Sequence, residues 1–94
     1  MHENQFQAKL KKEILERFPG ALVLKQDTLQ GIPDLLILYN DRWAALECKK
    51  SPTAIHQQNQ DYYVELMNEM SYANFIFPEN REEVLDELAQ VFGI

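Results

Sequence analysis

The sequence predicts an α/β fold, a mixed four-stranded sheet flanked by helices with an extra C-terminal helix. Three observations predict it. Phe6, Leu10, Ile14 and Phe18 recur every four residues, the spacing of one helical face. Four short apolar runs rich in Leu, Val, Ile, Ala and Phe (ALVLK, LLILY, WAAL and ANFIF) have the length and bounding turn signals of strands. Between the last two runs, and again after them, the pattern returns to helical spacing, so strands and helices alternate within one layered unit.

Taken in order, a first helix runs from about Glu3 to Phe18 and is stopped by Pro19-Gly20. ALVLK (21–25) is a short strand, QDTLQGIP a turn-rich connection, and LLILY (35–39) a second strand, expected to be buried on both faces. Asn40-Asp41 tolerates the positive φ of a tight turn, so LLILY and RWAALECKK (42–50) should form an antiparallel hairpin. SPTAIHQQ reads as a loop. A helix follows from about Asn59 to Met70, with Tyr63, Val64 and Met67 facing inward, and then ANFIF (73–77) as the fourth strand. Pro78 ends that strand, Asn80 is placed to cap the next segment, and Val84, Leu85, Leu88, Val91 and Phe92 mark the apolar side of a last helix.

At 94 residues there is room for one domain spanning 1–94. So short a chain leaves much of its surface wet, which makes a homodimer the default expectation. A hydrophobic fraction of 46% is that of a folded protein, with no low-complexity stretch. No apolar run is long enough to cross a bilayer and the first residues lack a signal-peptide core, so no membrane partner is expected. The single cysteine, Cys48, excludes an internal disulfide and a thiolate-rich zinc cluster, which fits a cytoplasmic location. His2 and His56 lack a second ligand at metal-binding spacing, and no glycine-rich loop announces a nucleotide cofactor. Net charge −6 argues against a nucleic-acid ligand. Distribution softens that objection: Glu79, Glu82, Glu83, Asp86 and Glu87 cluster late in the chain, whereas Lys9, Lys11, Lys12, Lys25, Lys49 and Lys50 all lie at or before residue 50.

The chemistry is concentrated in GIPDLLILYNDRWAALECKKS (31–51). Asp34 opens one hairpin strand. Glu47 and Lys49 lie near the end of the other and, by strand alternation, share a face that Cys48 does not. Two carboxylates from neighbouring strands, with the backbone carbonyl of Cys48 between them, suit a hard divalent cation. An ammonium beside them can orient a water or stabilise negative charge on a phosphoryl group. The competing reading makes Asp34 a turn cap and Glu47/Lys49 a solvated pair, but charged groups set in such apolar strands are costly unless something answers them.

GIPDLLILY followed by WAALECKKS resembles the PD-(D/E)xK nuclease superfamily, and more closely its VRR-NUC family, particularly the short stand-alone members encoded by bacteriophages. The likeness extends to FQ…LKKEILERFPG before the motif and QQNQDYY…FPEN after it, and the pattern falls on Pro33, Asp34, Glu47 and Lys49. It implies a restriction-endonuclease-like αβββαβ core and a Mg²⁺-dependent (or Mn²⁺-dependent) endonuclease. The implied substrate is branched or Holliday-junction DNA, cut by a homodimer in the cytoplasm, the host's if the protein is phage-encoded. On this reading Asp34, Glu47 and the Cys48 carbonyl hold the metal and Lys49 is the catalytic cation.

Two further residues combine geometry with that resemblance. Glu3 shares the helical stripe of Leu10 and Ile14, so its carboxylate is expected to face inward, matching the acidic residue the family draws from its first helix; the alternative is a frayed, exposed terminal residue. Gln60 shares a face with Val64 and Met67 and resembles the family's glutamine after its third motif; the alternative is a Gln pairing with free N–H groups at a helix start. Lys25 and Lys50 flank the proposed site as candidate phosphate contacts. Trp43, Tyr62 and Tyr63 are expected in core or dimer packing rather than on bases. Two readings from other classes stand beside the nuclease: a non-catalytic nucleic-acid-binding module, and a phage–host interaction protein working through its acidic C-terminal helix.

Overall fold

In the computed structural model, which describes residues 3–94, the elements are α1 (Glu3–Arg17), β1 (Leu22–Lys25), β2 (Leu35–Tyr39), β3 (Arg42–Cys48), α2 (Gln60–Met70), β4 (Ala73–Ile76) and α3 (Arg81–Phe92), with a 3₁₀ turn at Pro78–Asn80. The order is αβββαβ followed by a C-terminal helix, as expected. His2 lies outside the described residues.

The sheet has strand order β1-β2-β3-β4: the first three strands are antiparallel neighbours and β4 runs parallel to β3. Asn40 takes φ 54° at the β2–β3 turn, the left-handed conformation for which the hairpin selects Asn. The parallel β3–β4 pair needs a crossover, which the 49–59 loop and α2 supply.

Strand alternation divides the side chains between two layers. On one face, Val23, Leu35, Ile37, Ala44, Leu46, Cys48 and Ile76 pack against Phe6, Leu10, Ile14 and Phe18 of α1 and its end and Val84, Leu85, Leu88 and Phe92 of α3. On the other, Ala45 and Ala73 meet Val64 of α2, with Trp43, Met67 and Phe75 half-buried around them. Since α2 lies over β3 and β4, LLILY is not buried on both faces as its sequence suggested: Leu35 and Ile37 are buried, Leu36 and Leu38 only partly. Tyr63 and Met67 are likewise half-buried, and Tyr62 is exposed.

Asn80 occupies the N-cap position of α3, yet its side chain makes no cap hydrogen bond. Its Oδ1 accepts from the Phe77 N–H and its Nδ2 donates to the Phe75 carbonyl, so it closes the turn out of β4 instead. The nearer unpaired backbone groups at the strand end win its side chain. Among the described residues no helix is long and apolar enough to cross a membrane.

Candidate active site

The hairpin places Asp34 one residue before β2 and Glu47 near the end of β3, where the Leu35–Leu46 pair is the last regular rung. Beyond that rung side chains replace the ladder. Asp34 Oδ2 accepts from the Cys48 N–H at 3.0 Å, and Glu47 Oε1 accepts from the Asp34 N–H at 3.2 Å. Each carboxylate thus satisfies a backbone donor that the ending strand pair would leave unmatched.

Glu47 and Lys49 share a face, as alternation requires, and both are nearly sealed: Glu47 is 2% exposed and Lys49 5%. Their charged atoms stand 3.9 Å apart, too far for a hydrogen bond. Gln60 at the start of α2 joins them. Its Nε2 donates to Glu47 Oε2 at 2.9 Å, while its Oε1 accepts from Lys49 Nζ at 2.7 Å and from the Gln57 N–H at 2.7 Å. One amide thus bridges the loop before α2, the Lys49 ammonium and the Glu47 carboxylate.

A further acceptor for Lys49 is the Ile55 carbonyl at 3.1 Å. An ammonium has three donors, so two fix its position and one remains for the cleft. The Ile55 contact had no sequence signal, because a carbonyl carries no residue identity. His56 stacks on Phe75, and its Nδ1 is 2.7 Å from Asp61 Oδ1, which ties the same loop to β4 and α2. Gly31, with φ +89°, approaches the α2 entry closely: a Cβ there would meet Gln58 O and the Asn59 carbonyl carbon at 2.6 Å. The glycine was legible as a turn residue but its partner was not.

Glu3, Asp34, Glu47, Lys49, Lys50 and Gln60 line one open cleft of about 530 Å³. Glu3 is exposed rather than turned into the core, because the helical stripe it shares runs off the end of the sheet and there meets the cleft mouth. Among the described residues no three His, Cys, Asp or Glu side chains come together as a metal-holding group, so Glu3 lines the cleft without joining Asp34 and Glu47. Lys50 lies in the cleft wall, whereas Lys25 opens onto a separate hollow beside it. None of the acidic residues of α3 lines the cleft.

Burial raises the Glu47 carboxyl most, and the neighbouring Asp34 charge and hydrogen bond raise it further; Lys49 opposes but does not cancel them, and the group is pushed up to about 8. At neutral pH Glu47 therefore favours its protonated form. Burial, followed by the Asp34 and Glu47 carboxylates, also pushes the Cys48 thiol far above its ordinary range, so Cys48 is an inert core residue.

The fold and cleft define an α/β protein with a buried Glu/Lys/Gln cluster beside a half-buried Asp at the end of a hairpin. Comparison of the chain with protein-family models, curated proteins and solved structures gave no match.

Proposed function

We propose that this protein is a metal-dependent endonuclease that hydrolyses DNA phosphodiester bonds, related to the VRR-NUC nucleases its central segment resembles. One observation carries the reading: the half-buried Asp34 and buried Glu47 carboxylates meet at the end of the hairpin, which favours a proton on Glu47, with an oriented ammonium beside them. A divalent cation is the natural replacement for that proton. The donors are all oxygen, which favours Mg²⁺ or Mn²⁺ over zinc. The Lys49 N–H bonds to Ile76 on β4, so alternation turns the Cys48 N–H and carbonyl toward Asp34, where that carbonyl supports the same ion. Glu3 at the cleft mouth is placed to act through water.

When bound, the ion polarises the phosphoryl oxygen and acidifies a water. Lys49, held by Gln60 and Ile55, directs its remaining N–H into the cleft to orient that water or to meet charge building on the phosphate. Gln60 keeps Lys49 from collapsing onto Glu47, so that carboxylate stays available to the cation. Leu22 and Leu24 are exposed on the sheet face that α2 leaves open, which supports the expectation of a homodimer. Branched DNA is the substrate the resemblance favours.

The test is incubation of duplex, flap and four-way-junction DNA with Mg²⁺, Mn²⁺ or EDTA. Metal-dependent nicking lost in Glu47→Ala and Lys49→Ala supports the proposal; DNA binding without cleavage in any metal selects the non-catalytic module instead.

A further inference from the structure

The cations of this acidic chain are sorted by role. Arg17 pairs with Glu82 and Asp86, Arg81 with Glu13 and Glu82, and Arg42 donates to the Val91 carbonyl, so the arginines join α3 to the rest of the fold. Lys49 is committed to the cleft. Among the described residues the other five lysines make no ion pair, although acidic residues outnumber basic ones by fifteen to nine, and of the five Lys11 and Lys25 share one surface hollow.

These two lysines come from different elements, α1 and the end of β1, and line one hollow of about 270 Å³ with Asn4, Gln7, Ala8 and Leu35. Among the described residues no acidic side chain lines it. No described residue lines both spaces, but Asn4 follows Glu3 in the chain and Leu35, paired with Lys25, follows Asp34, so the hollow and the carboxylate cleft open at the same end of the sheet. Two ammonium groups facing one space repel each other unless an anion lies between them, and the amides of Asn4 and Gln7 add uncharged donors.

We propose that the Lys11/Lys25 hollow seats a backbone phosphate of the DNA strand whose neighbouring phosphate enters the Asp34/Glu47 cleft. The seat rests on the nuclease reading for its ligand but not for its chemistry. A phosphate held there fixes the register of the strand over the cleft without reading bases. It also answers the net charge of −6: attraction is local, delivered by two lysines kept clear of carboxylates, while α3 carries its acids elsewhere.

The test is fluorescence anisotropy with labelled duplex and single-stranded DNA in EDTA, over a range of salt concentrations. Wild type is compared with the Lys11→Ala/Lys25→Ala double variant and with Lys12→Ala, an exposed lysine of the same helix outside the hollow. The double variant should bind about tenfold more weakly, with the slope of log affinity against log salt reduced by about one, while Lys12→Ala stays within about twofold. Unfolding midpoints of all three should coincide, since none of these lysines is buried. A double variant that binds like Lys12→Ala, or a wild type that binds no DNA, overturns the seat. Binding that follows the predicted pattern without cleavage in Mg²⁺ or Mn²⁺ sinks the nuclease and leaves the seat standing; cleavage with an unaltered double variant does the reverse.

Discussion

Glu47 should make the metal-free protein less stable as the pH rises, the opposite of the usual behaviour of a paired carboxylate. The folded protein holds this proton up to about pH 8, whereas an unfolded chain releases it near the ordinary value of 4.5. Between those values the native state binds more protons than the unfolded one, so unfolding free energy falls with rising pH and levels off above about 8. Each pH unit of that interval corresponds to about 1.36 kcal/mol, which sets a ceiling of roughly 5 kcal/mol. Water in the open cleft relaxes part of it, leaving on the order of 2–4 kcal/mol. The assay is urea unfolding in EDTA at pH 5.5 and pH 8.5, wild type against Glu47→Gln. The comparison cancels His56, which both proteins carry, and the amide abolishes the Glu47 titration. The assay window covers about 2.5 of those pH units, so wild type should lose roughly 1–3 kcal/mol relative to the variant on going to the higher pH. Mg²⁺ at pH 8.5 should restore it to wild type alone, by about 2.7 kcal/mol at a hundredfold excess over Kd. Parallel pH dependence in the two proteins would refute the buried proton, and equal Mg²⁺ stabilisation of both would refute Glu47 as a ligand.

Gln60→Ala should cost about 1–3 kcal/mol, since Lys49 loses its side-chain acceptor and Glu47 a donor inside a sealed cluster, and nicking should slow by about 10- to 100-fold, measurable by single-turnover kinetics. Gly31→Ala combines φ +89° with contacts of 2.6 Å to the Gln58–Asn59 backbone, so it should destabilise by about 2–3 kcal/mol in chemical denaturation and, by moving the α2 entry, lower activity as well. Cys48, fully buried and with its thiol pushed up, should react with a thiol reagent only on unfolding; labelling of the folded protein as fast as of free cysteine would contradict its place in the core.

Much of the candidate site was legible because its geometry is local. Glu47 and Lys49 must share a strand face while Cys48 takes the other, and Asn40 suits the hairpin turn that brings Asp34 opposite them. The same periodicity located α1, α2 and α3 to within a residue or two and established the order αβββαβα. Glu3 shows where such reasoning stops: a helical wheel gives direction around an axis, but not how far the sheet extends beneath it, and Glu3 meets a cleft instead of a core.

The sequence by itself determined the alternation of elements, the face on which the Glu47 and Lys49 side chains emerge, and the apolar setting that makes their charges costly, since these follow from periods of two and 3.6 residues. Tertiary structure decided the rest: that Gln60 spans from Lys49 to Glu47, that the Ile55 carbonyl takes a second ammonium proton, that Gly31 touches the α2 entry, and that Lys11 and Lys25 open onto one hollow. These are distances between segments that the chain does not connect locally, set by how α1 and α2 pack on opposite faces of the sheet, and no spacing along the sequence encodes them.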